Sequence, residues 1–204
     1  MKLYYAPGAC SLSTHIALRE AGLSPELVKV DIIRHQLDSG ADYKAINPRG
    51  YVPLLELDDG SRHTEAAALL QYIGDLDPSG QLMPASGTAA RFEAVQWLTF
   101  VSSELHKVFS PWLWHKETAD TTARACREKL ATRFAELDQH LATRDYLLGA
   151  TFSVADAYCF TIVNWSNFLG ISLKPYAALS AYLDRVAQRP AVHAALLAEG
   201  LAKT

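Results

Sequence analysis

The stretch "DPSGQLMPASG" at residues 77–87 constrains the fold more than any other, because the hydrophobic pattern changes character across it. Its two prolines, two glycines and two serines form a cluster that ends regular structure. Before it, short runs of strand type alternate with helical ones; beyond it only helical spacing remains. A chain of 204 residues can bury one large core or two small ones. The pattern predicts a mixed α/β domain over 1–77, a linker over 78–88 and an all-helical domain over 89–204.

Within the first part, "KLYY" (2–5) reads as a strand. Ser11 or Ser13 can cap a helix through Ala21, which Gly22 stops. "ELVKVDI" (26–32) is a second strand, and residues 40–50 suggest one or two helical turns broken at Asn47-Pro48. Residues 52–64 read as a hairpin turning at Asp59-Gly60, followed by a helix from Thr64 or Glu65 to Leu76. In the second part, helices are expected over 89–115, 121–143, 153–168, 175–188 and 190–198. Ser153 followed by Asp156 is a variant capping box, which makes Asp156 a structural anchor rather than a catalytic acid.

Charge and motifs exclude several classes. A formal net charge of -3 gives no electrostatic case for nucleic acid or an anionic membrane. No apolar run is long enough to span a bilayer, and the one after Lys2 is too short for a signal-peptide core. Three scattered cysteines, Cys10, Cys126 and Cys159, imply no disulfide framework, so a reducing cytoplasm is expected. Phosphate-cradling glycine loops, zinc spacings and the G-x-S-x-G elbow are all missing from the sequence, and no metal is expected.

Three places remain where chemistry can reside. Cys10 falls where the first strand turns into the first helix, and helix N–H groups there would lower a thiol pKa. Its C-x-x-S spacing offers no resolving cysteine, so a reactive Cys10 would need an external thiol; a buried structural cysteine is the alternative. Thr99, Ser103, His106 and Ser110 recur at helical spacing as a polar stripe, and His106 could donate to an anion or exchange a proton near neutral pH. In "RGYVPLLEL", a cis Pro53 would leave the Val52 backbone to a peptide-like ligand. Glu65 and Ala66 open the next helix, where free N–H groups hold a carboxylate while Glu65 pairs with an ammonium. Alternatively, Glu65 is only a favourable acid in a first turn.

Taken together, "YYAPGACSLSTHIALREAG", "NPRGYVPLLELDDG", "TEAAALLQYI", "SSELHK", "FSVADAY" and "RPAVHAAL" with "AEGL" resemble a bacterial glutathione S-transferase of the beta class, along essentially the whole chain. The resemblance implies a thioredoxin-like N-terminal domain (βαβαββα, mixed four-stranded sheet) and an all-α C-terminal domain. It implies a homodimer that conjugates glutathione to a small hydrophobic electrophile, in detoxification, with an apolar site between the domains. Cys10 matches the family's cysteine, which can form a mixed disulfide with glutathione, and His106 and Lys107 match site residues. Tyr51 and Val52 before Pro53 match the segment that pairs with the cysteinyl backbone, and Glu65 matches the acid holding the γ-glutamyl amine. Ala66 stands where many members have Ser, leaving only its N–H. His35 falls where some relatives place a lysine for the glycyl carboxylate, and Thr99 and Ser103 where relatives reach the partner's site. A thiol–disulfide oxidoreductase and a non-catalytic binding protein on the same fold are the rival readings.

Overall fold

The computed structural model describes residues 1–202. Strand β1 (Lys2–Tyr5) lies at the centre of a mixed sheet. It runs parallel to β2 (Glu26–Asp31) and antiparallel to β4 (Leu54–Glu56). Helix α1 (Ser11–Glu20) makes the crossover between β1 and β2 that a parallel pair requires. Two-residue strands β3 (Gln36–Leu37) and β5 (Arg62–His63) close the edges, giving the order β3-β2-β1-β4-β5. The sheet thus has five strands rather than the expected four, because two residues beyond β2 fold back on it, too few to leave a periodic signal. Residues 40–50 contain a single 3-10 turn, Tyr43–Ala45.

Alternation along β1 divides the apolar side chains between two faces. Leu3 and Tyr5 join the main core, whereas Tyr4 and Ala6 join a smaller cluster with Val30, Tyr43, Val52 and Leu54. Helix α2 (Ala66–Leu76) covers the first face beside α1. The main core continues from Leu3, Ile16 and Leu70 into Leu98, Phe134 and Ile162, so one apolar interior spans both parts of the chain. Every residue of α1 from Ser11 to Leu18 is buried, because α1 packs on α2, on α6 (Val154–Val163) and on α9 (Pro190–Ala198). The linker crosses close to α2: a Cβ on Gly74 would lie 2.5 Å from Met83 Cβ, so only glycine fits.

The helical part begins with α3 (Ala89–Phe100), capped by Thr88. It then widens into a π-helical stretch, Val101–His106, and resumes as α4 (Lys107–Phe109). The helix expected through residue 115 stops here because Ser110 is extended before Pro111, which has no N–H to give. Helix α5 (Asp120–Leu141) returns along this segment, and α7 (Trp165–Phe168) and α8 (Ala177–Ala187) follow α6. Asp156 is fully buried and accepts from Ser153 N–H and Oγ–H at 2.8 Å, from Leu147 N–H at 2.8 Å and from the Tyr182 hydroxyl at 3.1 Å. It is a helix anchor, as its spacing from Ser153 indicates. No helix among the described residues is long and apolar enough to cross a membrane.

Candidate active site

The loop that carries Cys10 is held from both sides by the helical part. Gly8, at φ 71°, donates its N–H to Glu199 Oε2 at 3.0 Å, and its carbonyl accepts from the Trp165 indole at 2.8 Å. Glu199 is itself buried and contacts His15 Nδ1 at 2.9 Å, while Arg19 Nε donates to His15 Nε2 at 2.8 Å. Since arginine can only donate, His15 carries its proton on Nδ1 and passes a hydrogen bond on to Glu199. Four side chains from two ends of the sequence therefore fix the turn just before Cys10.

Cys10 occupies the N-cap position of α1 and donates from Sγ to the Val52 carbonyl at 3.2 Å. The lowered thiol pKa expected at a helix start is not found. Burial pushes the Cys10 thiol up to about 12, against the opposing pull of the Lys107 ammonium and of the Cys10 and Ser11 N–H groups. Desolvation outweighs the helix terminus here, and Cys10 is a protonated donor at neutral pH.

Residues 47–53 form the facing wall. Asn47 is buried and its amide donates to the Tyr51 carbonyl at 2.7 Å, to which the Tyr43 hydroxyl also donates at 2.9 Å. Tyr51's ring is exposed; Val52 and Pro53 are buried, and the peptide between them is cis. The Val52 N–H has no acceptor among the described residues, while its carbonyl is used by Cys10. Among the described residues, the non-glycine positions with left-handed φ are His35 (φ 54°) and Glu65 (φ 69°), a costly conformation that concentrates at functional sites. Glu65 precedes α2, and its carbonyl accepts from Ala68 and Leu69, which leaves the Ala66 and Ala67 N–H groups without an acceptor among the described residues. Its carboxylate is exposed and paired with Arg49 at 2.9 Å. The His35 ring lies against Gly50, and its Nδ1 is buried without a partner.

The helical wall departs further from the sequence expectation. The π-helical turn breaks the polar stripe: Thr99 and Ser103 stay exposed and bond back to Val95 and Thr99 carbonyls, while His106 turns inward. His106 Nδ1 sits 2.7 Å from the Tyr158 hydroxyl, and its ring packs edge-on against Trp165 at 5.1 Å. Burial, helped by the Lys107 charge, lowers the His106 pKa to about 4, so the imidazole is neutral at pH 7 and does not exchange a proton there. Lys107 is exposed, and its charge acts on both Cys10 and His106.

The fold thus gathers Cys10, Val52, Lys107, His106 and the start of α2, and leaves Thr99 and Ser103 on the outside. Arg49, Tyr158 and Glu199 were not legible as site residues. Arg49 sits in a turn with no periodicity, Tyr158 lies within an apolar helix, and Glu199 falls just beyond the end of α9. Trp114 stacks edge-on to Trp165 at 5.6 Å, and Trp112 borders an open cleft of about 510 Å³ with Ser103, Lys107, Val108 and Cys126. A second cleft of about 360 Å³ lies between Glu20, Asp77 and Arg189, at the far end of α1 from Cys10.

Comparison with known proteins identifies the family and the fold. Residues 8–76 match the family "Glutathione S-transferase, N-terminal domain" and residues 100–190 match "Glutathione S-transferase, C-terminal domain". The chain is 40% identical to glutathione S-transferase GstA of Escherichia coli O157:H7, over 98% of this chain and 100% of that one. It superposes with a TM-score of 0.93 on a sphingomonad glutathione S-transferase complexed with glutathione, at 46% identity over 99% of this chain and 100% of the other. With the bacterial beta class enzyme of Sphingomonas chungbukensis the TM-score is 0.94 at 42% identity, over 99% and 100% of the two chains.

Proposed function

The chain belongs to the glutathione S-transferase family, and on that premise we propose how its own residues join the glutathione thiol to an electrophilic carbon. Glutathione is the co-substrate. It lies extended along the wall from Tyr51 to Ala66. The γ-glutamyl ammonium pairs with Glu65, and the neighbouring carboxylate accepts from the free N–H groups that begin at Ala66. The cysteinyl N–H and carbonyl pair with the main chain of Val52, beside Pro53, and the glycyl carboxylate is taken by His35. The observation that carries this reading is the 3.2 Å hydrogen bond from Cys10 to Val52. It holds the thiol against the segment that aligns the cysteinyl residue.

The sulfur then lies between Cys10 and His106. Its proton leaves to solvent, and the thiolate is held by the Cys10 S–H, which turns from the Val52 carbonyl as the cysteinyl N–H takes that acceptor, by the imidazole N–H of neutral His106 and by the Lys107 field. Attack forms a sulfur–carbon bond, while a leaving group departs with its electron pair or the pair shifts onto the acceptor. Apolar electrophiles lie against Trp114 and Trp165. A thiol pushed up to about 12 suits Cys10 as a donor and tells against it as an attacking thiolate, which disfavours the disulfide-exchange reading. Assays of Cys10→Ser and Cys10→Ala with a model electrophile and with a glutathionylated peptide test this. Conjugation is expected to survive in the serine variant and to fall about tenfold in the alanine variant, as one lost hydrogen bond allows. Faster turnover of the glutathionylated peptide than of the electrophile, abolished by both substitutions, would establish the oxidoreductase instead.

A homodimer is supported by the large apolar side chains left exposed on α2 and α3, Tyr72, Leu76 and Phe92. Thr99 and Ser103 are exposed on the helix that carries Phe92 and on the π-helical stretch that continues it, where a partner could meet them. Light scattering should give twice the chain mass, and Phe92→Glu should shift it towards one. Cys10, Cys126 and Cys159 are all free thiols, which suits the cytoplasm; recovery from a periplasmic extract would contradict that placement.

A further inference from the structure

Tyr158 lies in α6 and is 2% exposed, yet its hydroxyl faces the site rather than the core. Its oxygen is 2.7 Å from Nδ1 of His106, and the two rings meet edge-on at 5.9 Å. A phenol and a neutral imidazole can share this bond in two ways: the hydroxyl donates to Nδ1, or Nδ1 carries the proton and donates to the hydroxyl. The two differ in what His106 offers on its other nitrogen, which is a donor in the first case and a bare lone pair in the second.

Building on the reading that the glutathione sulfur sits between Cys10 and His106, we propose that Tyr158 is a positioning residue. Its hydroxyl donates to Nδ1, holding His106 as the tautomer whose Nε2–H can donate to that sulfur. The surroundings favour this direction. Among the described residues the buried Tyr158 hydroxyl has His106 Nδ1 as its hydrogen-bond partner, and the reverse arrangement would leave the phenol proton without an acceptor. His106 lies between the Tyr158 and Trp165 rings, with Lys107 as its charged neighbour. An imidazole packed between two aromatic rings cannot swing to exchange its nitrogens, so its tautomer rests on Tyr158, the side chain that bonds it among the described residues. The same Trp165 also holds the Gly8 carbonyl, so the ring is ordered relative to the loop that presents Cys10. Tyr158 is thus to His106 what an orienting carboxylate is to a catalytic histidine, but without charge. A neutral orienting group leaves the imidazole no reason to become imidazolium, which is what stabilising an anion by donation alone requires.

Nitrogen-15 NMR of the wild-type protein reads the tautomer directly. Resonances of a protonated Nε2 and a hydrogen-bonded, unprotonated Nδ1 are expected at His106, and a protonated Nδ1 overturns the proposal. In kinetics, Tyr158→Phe should lower kcat with glutathione and a model electrophile by about five- to tenfold at little change in KM, and give a mixed tautomer. In a His106→Ala background the same substitution should change the rate by less than twofold. Equal losses in both backgrounds would mean that Tyr158 is merely structural. Full activity in Tyr158→Phe alongside a slow His106→Ala overturns the role of Tyr158 alone. Full activity in His106→Ala overturns the reading of the site itself, so the two failures are distinguishable.

Discussion

The two walls of the site are made of different materials. On the sheet side, the cis Val52-Pro53 segment and the first turn of α2 present mainly backbone groups, with Glu65 as the charged exception. On the helical side, the hydrogen bonds described above to the Cys10 loop and to His106 come from side chains: Trp165, Glu199 and Tyr158. A backbone wall tolerates substitution, as Ala66 illustrates, because the N–H it supplies belongs to any residue but proline. A side-chain wall depends on where its helices are anchored, so it should fail by losing geometry rather than by losing affinity.

Three measurements press on that contrast. The largest effect is expected from Asp156→Ala, which leaves Leu147, Ser153 and Tyr182 without their buried acceptor. A loss of about 3–5 kcal/mol of stability is expected, read from the urea midpoint. A loss below about 1 kcal/mol would show that α6, and with it Tyr158, is held by packing alone. Next, Glu65→Gln should raise the KM for glutathione by about ten- to a hundredfold at nearly constant kcat, as removal of one charge-assisted contact implies. An equal fall in kcat would place Glu65 in the chemistry and erase the distinction between the walls. The last effect, spread over more than two pH units, is on acid stability. His106 has a folded pKa of about 4, below its ordinary value near 6.5, so the unfolded chain binds the extra proton first as pH falls. Stability should therefore decline between about pH 6.5 and 4, by at most about 1.4 kcal/mol per pH unit from this group, and His106→Gln should flatten that slope. An unchanged slope would mean that His106 is not desolvated.

This contrast also explains what the sequence discloses. The start of α1, the hairpin turn at Asp59-Gly60, the cis-prone Pro53 and the capping pair Ser153 and Asp156 are local devices, each specified within a few residues. Cys10, Val52, Glu65 and Ala66 sit at or beside such devices and could be found from them. The inward turn of His106 could not. It depends on a π-helical stretch whose residues, "VSSELH", differ in no obvious way from ordinary helix formers. The Cys10 pKa departs from the sequence expectation for a related reason: a helix N-terminus is legible in sequence, but the burial that overrides it comes from residues far along the chain. Arg49, which meets Glu65 across 16 positions, is hidden in the same way.

The hold on Gly8 has a consequence for how the protein comes into being. During synthesis the turn before Cys10 emerges first, but its carbonyl must wait 157 residues for Trp165 and its N–H 191 residues for Glu199. Until α9 has left the ribosome, the loop before Cys10 lacks the acceptor for its Gly8 N–H. The loop that presents Cys10 is therefore completed only after α9 is made, and a product cut short before Glu199 would never gain that acceptor.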